Sequence, residues 1–229
     1  MTKQKENPLY NLIFNIGIPT LILIKLSKEQ YLGPTYALII ALAFPIGYGI
    51  YEFVKTKKLN TMSIIGLVSV LLTGTMAILK LPAEWIAVKE AAVPLLIGLI
   101  IFISNFTKKP LVRTFLLENG IIDVDKLHQA LDENGTREAF YKRVKQVSYL
   151  LILTFVFSAI LNYGLAKYLL VSEPGTEAYT AELGKMNGLS FPVIALPSTI
   201  MMAGILWLLF SSIKKMTGLE FEELMVKNG

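Results

Sequence analysis

Cysteine is absent from these 229 residues, and histidine occurs once, as His128. Disulfides and thiolate chemistry are therefore excluded, and a single histidine makes a poor metal site. Charge is scarce as well: 17% of the residues are charged, against roughly 25% in ordinary soluble domains. Familiar catalytic signatures are missing. There is no His-Glu-x-x-His, no Gly-x-Ser-x-Gly and no phosphate-cradling glycine loop. Ser211 to Lys214 fits Ser-x-x-Lys, a pattern short enough to arise by chance. Asp123 and Asp125 do not continue into an EF-hand loop. The expectation is a chain that is not an enzyme and that holds no cofactor and no metal.

What the chain has in quantity is apolar length. It is 54% hydrophobic, with a mean hydropathy of +0.57. Apolar runs fall at 8–27, 34–54, 61–80, 85–104, 148–171 and 189–212. Each is about 20 residues, enough at 1.5 Å per residue to cross a hydrocarbon core of about 30 Å. Lipid offers backbone groups no partner, so such runs are helices. The expected fold is an all-α integral membrane protein. It is one polytopic domain of six transmembrane helices, arranged as three hairpins, with a loop at 105–147. The N-terminal run lacks a small-residue cleavage site and is long enough to span, so it is read as a retained first span.

Direction follows from the loops. Sixteen Lys and Arg fall on the side of the termini, and only Lys28, Lys80 and Lys185 on the other. Both termini are therefore expected in the cytoplasm. The net charge of +5 fits this reading, with anionic headgroups rather than nucleic acid as the partner. In the long fourth loop, "PLVRTFLLENG" and "DVDKLHQALDENG" each read as a short amphipathic helix closed by Asn-Gly. Such helices are expected on the inner membrane surface or against a soluble partner. Thr217, with Glu220 three residues on, has a capping-box pattern ahead of an acidic tail helix.

The polar residues inside the runs are the candidate site. Asn11, Asn15 and Lys25 share one face of the first span, Asn162 and Lys167 lie in the fifth, and Lys89 and Glu90 begin the fourth. The topology puts Lys25, Lys89 and Lys167 in the outer half of the membrane at similar depth. One reading is three lysines that snorkel to the interface, Lys89 lying about 6 Å below Trp85. The other is an outward-opening polar cavity for a phosphate or carboxylate. Helix neighbours diverge by about 100°, so Lys89 and Glu90 are not expected to pair with each other. Glu90 is expected to face Lys25 or Lys167. Ser69, Thr73 and Ala77 read as a small-residue packing face. Pro19, Pro45, Pro94, Pro192 and Pro197 read as kinks or hinges.

Four stretches carry a family resemblance: "LILIKLS", "WIAVKEAAVPLLIG", "FISNFTKKPLVRTFL" and "SAILNYGLAKYLL". The chain resembles the intracellular septation protein A family. That family has lysines at the positions matching Lys25 and Lys89, a Lys-Lys-Pro-Leu stretch after the fourth span and a Leu-Asn pair in the fifth. It commonly has Pro-Thr where this chain has Glu90 and Ala91, and shorter fourth and fifth loops. The resemblance implies a multi-pass bacterial inner-membrane protein of envelope maintenance and septation. Two functions are expected from it and from the polar residues. One is a small carrier or binding protein for an anionic lipid or metabolite. The other is a non-transporting adaptor that binds envelope-synthesis or division proteins through its cytoplasmic loop.

Overall fold

The computed structural model describes residues 13–56, 61–118 and 122–226. Asn11, one of the expected site residues, lies outside them. The described chain is helical. A π-helical turn (Ile13–Gly17) leads into α1 (Ile18–Lys25), followed by α2 (Gly33–Thr56), α3 (Thr61–Ile78) and α4 (Ala83–Ser104). Then come α5 (Leu111–Glu118), α6 (Val124–Glu133), α7 (Arg137–Leu169) and α8 (Glu177–Ser190). A second π-helical turn (Phe191–Ala195) joins α8 to α9 (Leu196–Thr217), and α10 (Phe221–Leu224) ends the order.

Among the described residues, four helical stretches are long and apolar enough to cross a membrane: Gly33–Tyr51, Ala83–Ser104, Arg137–Leu169 and Glu177–Thr217. Ile13–Lys25 is a shorter apolar stretch. Leu96, Leu99, Ile100 and Ile103 on α4 are all at least half exposed. Large side chains are left uncovered along a helix in this way where lipid covers them.

Two stretches depart from the expected boundaries. Helix α7 begins at Arg137, eleven residues before the run expected at 148, because "REAFYKRVKQV" continues the helix without a breaker. The last helical stretch begins at Glu177, not 189. The Thr176 hydroxyl caps it by accepting from the Tyr179 N–H at 3.2 Å. The prolines explain the irregular turns. Pro45 and Pro94 sit inside α2 and α4. Pro192 lies within the second π-helical turn, and Pro19 and Pro197 stand in the first turns of α1 and α9. A proline lacks an N–H and its ring crowds the carbonyl four residues back, and a π-turn absorbs that misfit.

The chain divides into two compact units, Met1–Ala91 with Leu161–Ile194, and Ala92–Ile160 with Ala195–Gly229. The core of the first contains Ile22, Leu23, Leu38, Ala41, Ile86, Ala166, Tyr179 and Leu183. In it α1 packs along α8 and α2, and α2 along α3. The close approach of α8 to α1 depends on two glycines. A Cβ on Gly184 would sit 2.7 Å from the Leu23 Cβ, and one on Gly188 would sit 3.0 Å from Thr20 Cγ2. Small residues four apart let membrane helices touch backbone to backbone.

The second unit holds the loop and the tail together. Its core includes Ile122, Leu127, Leu131, Phe140, Ile213 and Leu224. The Asp123 N–H donates to the Leu224 carbonyl at 2.8 Å, and Lys126 Nζ donates to the Glu223 carbonyl at 2.7 Å. The expected α6 helix is present, capped by Asp123. Its apolar face, however, is buried against its own chain rather than offered to the membrane or to a partner. Leu127 and Leu131 find α9 and α10 first. Thr217 is not the cap of the tail helix. It closes α9 by donating to the Ile213 carbonyl, while Glu220 and Glu223 form the capping box of α10.

Candidate functional site

The first unit contains a cavity of about 180 Å³. Leu23, Leu38, Leu42, Leu183 and Met186 make it mainly apolar, and Asn15, Ser69, Thr73, Lys89, Glu90, Asn187 and Ser190 supply polar groups. An engineered apolar cavity of about 150 Å³ holds a benzene. This one therefore has room for a small molecule or a lipid headgroup, not for a whole lipid.

Lys89 is the buried charge of this site, with a relative exposure of 9%. Its ammonium donates to Ser69 Oγ at 2.9 Å, the Ser69 carbonyl at 3.1 Å, Thr73 Oγ1 at 2.5 Å and Glu90 Oε1 at 2.8 Å. An ammonium has three protons, so these four acceptors satisfy it fully. The Thr73 hydroxyl reaches the Ser69 carbonyl at 3.1 Å and Glu90 Oε1 at 3.2 Å. With one proton, it can serve only one of them well at a time. The result is a charge-balanced cluster of α3 and α4 side chains on an apolar cavity. Charges taken out of water persist where they are paired and hydrogen-bonded in this way. On another part of the wall, Asn187 Nδ2 donates to Thr20 Oγ1 at 3.1 Å, tying α8 to α1.

Several expectations are corrected by this geometry. Lys89 and Glu90 do pair, although they are neighbours in one helix. Lysine's four-carbon stem swings its head around the helix towards Ser69 and Thr73, and the Glu90 carboxylate meets it there. Glu90 faces neither Lys25 nor Lys167. Lys89 does not snorkel. Lys167 instead donates to Glu84 Oε1 at 2.9 Å. Glu84 precedes Lys89 by five residues, about 7.5 Å along the axis, so Lys167 and Lys89 make their contacts at different turns of α4. Lys25 is exposed at the end of α1. Of the expected site residues, the structure brings Asn15, Lys89 and Glu90 to the cavity. Lys25, Asn162 and Lys167 are not among the residues lining it.

Four contributors were missed by the sequence reading. Ser69 and Thr73 look like packing residues, yet they hold the Lys89 head. Their spacing of four on an apolar helix was the available signal. Asn187 and Ser190 fall across the start of the run expected at 189, and only the early start of α8 places them together on this wall.

No curated protein and no solved structure matches the chain. Residues 14–131, a little over half of it, match the family model described as intracellular septation protein A. The matched stretch includes Lys25, Ser69, Thr73, Lys89, Glu90 and the Lys-Lys-Pro-Leu sequence, and ends before Asn162. On that match, the chain belongs to the intracellular septation protein A family.

Proposed function

We propose that this multi-pass inner-membrane protein serves septation and envelope maintenance by binding, and carrying, a small anionic group in the Lys89 cavity. The observation that carries the reading is the buried Lys89 ammonium, held by Ser69, Thr73 and Glu90 on the wall of a ligand-sized space. A bound phosphate or carboxylate would take the place of Glu90 at Lys89 Nζ. Glu90, whose side chain is 23% exposed, would have to release the ammonium as the anion arrives. Glu90 is thus the gate to the Lys89 ammonium. No chemistry on the bound group is part of this reading. Both termini are assigned to the cytoplasm on the loop charges, with six helices crossing the membrane. The cavity polar cluster then lies in the outer half of the bilayer.

The adaptor reading has less support. The apolar face of α6, the obvious docking surface in the loop, is already covered by the chain's own α9 and α10.

The test is complementation of a strain lacking this protein, at matched expression. Lys89→Gln and Thr73→Val should fail, while Lys25→Gln and Lys167→Gln should grow as wild type. Full growth with Lys89→Gln would overturn the cavity reading.

A further inference from the structure

A second site stands in the other unit, where α4 ends and α5 begins. A cavity of about 120 Å³ is lined there by Asn105, Pro110, Arg113, Tyr141, Lys145 and Ser148 together with Val112 and Val144. No acidic residue lines it. Arg113 and Lys145 therefore present two cations to one small space, and neither has an acidic partner among the described residues.

The polar groups around them are set in place. The Arg113 guanidinium lies 4.4 Å from the centre of the Tyr141 ring. Stacking on a ring orients its plane and leaves its N–H donors available. Tyr141 is itself held by a hydrogen bond of 3.0 Å between its hydroxyl and His128 Nε2. The buried Ser148 hydroxyl donates to Asn105 Oδ1 at 2.8 Å, which turns the amide so that Nδ2 is its remaining donor. Asn105 Nδ2 is buried and has no hydrogen-bond partner. Buried donors are nearly always satisfied, and one that is not marks a place for an acceptor. Two unpaired cations and an orphaned amide donor are all donors, so the missing partner is an oxyanion. The space, about 120 Å³, has room for a phosphate group.

The structure assigns an oxyanion site to Asn105, Arg113 and Lys145, built to take a phosphate group. Two sources have this chemistry: the phosphodiester of an anionic lipid headgroup, and free inorganic phosphate. Exposed apolar side chains flank the site in sequence, Phe106 at 71% and Phe115 at 66% exposure. Apolar side chains next to cations are what an interfacial segment uses to sit at the headgroup level.

The experiment uses the full chain in two arms. In neutral detergent it is titrated with inorganic phosphate and followed by phosphorus NMR. In nanodiscs of phosphatidylcholine, with or without phosphatidylglycerol, retained lipid is counted by native mass spectrometry. Arg113→Gln and Lys145→Gln should each weaken binding by about tenfold, the loss of one charge-assisted contact. Lys142→Gln, a basic neighbour that does not line the cavity, should bind as wild type. Binding in the detergent arm names free phosphate as the ligand. Retention of phosphatidylglycerol alone names the headgroup. The proposal is overturned if neither probe binds, if both lining variants bind as wild type, or if Lys142→Gln loses as much as they do. Lys145 is exposed, so its variant keeps the test open should loss of the Arg113 stacking disturb folding.

Discussion

The Lys89 ammonium rests 2.8 Å from the carboxylate of Glu90, the residue that follows it in the chain. Adjacent positions on a helix point apart, so backbone direction does not produce this contact. It forms because Ser69 and Thr73 on α3 draw the lysine head to one spot. The carboxylate is then the nearest group able to balance its charge.

Breaking this pair from one side should be costly. Lys89→Met leaves a carboxylate in an apolar wall, and the expected loss is about 3 kcal/mol. Lys89→Met combined with Glu90→Leu should regain most of that stability while remaining inactive. Thermal unfolding in detergent, alongside complementation, separates the two effects. Equal stability of the single and double variants would show that the pair is not coupled.

Removing the counter-charge alone should favour an anion. Glu90→Gln keeps the side-chain shape but no longer competes for Lys89 as a charged group. Under the proposed function, its affinity for a small phosphate or carboxylate ligand should rise by about tenfold or more. Binding by isothermal titration checks this, and an unchanged or weaker affinity would count against Glu90 as the gate.

The Thr73 hydroxyl can be deleted without changing volume much. Thr73→Val removes an acceptor of Lys89 and a donor to Glu90, and should lower stability by about 1–2 kcal/mol. Thr75, two residues along the same helix, is not among the residues lining the cavity, and Thr75→Val is the control. A loss no greater than the control's would mean that the hydroxyl is not holding the cluster.

Gly184 should tolerate nothing larger. Its Cβ position lies 2.7 Å from Leu23 Cβ and 3.2 Å from the Thr20 carbonyl. Gly184→Leu should force α8 from α1 and cost on the order of 2–3 kcal/mol. Gly47 has nothing within 4 Å of its Cβ position, so Gly47→Ala should be close to neutral. Crosslinking between cysteines introduced at Thr20 and Asn187 reads the α1–α8 spacing directly.

The tail should act as part of the fold. Leu224 is fully buried among Ile122, Leu127 and Leu131, and Leu224→Ala should cost about 3 kcal/mol. Faster hydrogen exchange at the Asp123 amide, which donates to the Leu224 carbonyl, is the local signature. Unchanged exchange there would show that the tail is not docked in solution.

Apolar length alone determined that the chain is helical and suited to lipid, since hydrophobic runs of that size leave the backbone no other way to satisfy itself. Residue pattern also picked out Lys89 and Glu90, because charge in such a run is conspicuous. The caps at Asp123 and Thr176, the π-turns at the prolines and the Gly184–Gly188 pair are local signals too, visible in the residues once their partners are known. Which helix answers Lys89 was decided only by tertiary structure. It depends on how α3 is turned towards the first turns of α4, where Ser69 and Thr73 meet the Lys89 head. The same holds for the loop. An amphipathic face is written in the spacing of Val124, Leu127 and Leu131, but spacing does not name what covers it. The tail, nearly a hundred residues away in sequence, reached that face before a membrane or a partner. Local chemistry is short-range and periodic, so sequence carries it. Partnership between distant segments is a property of the assembled packing, and it was there that three lysines became one.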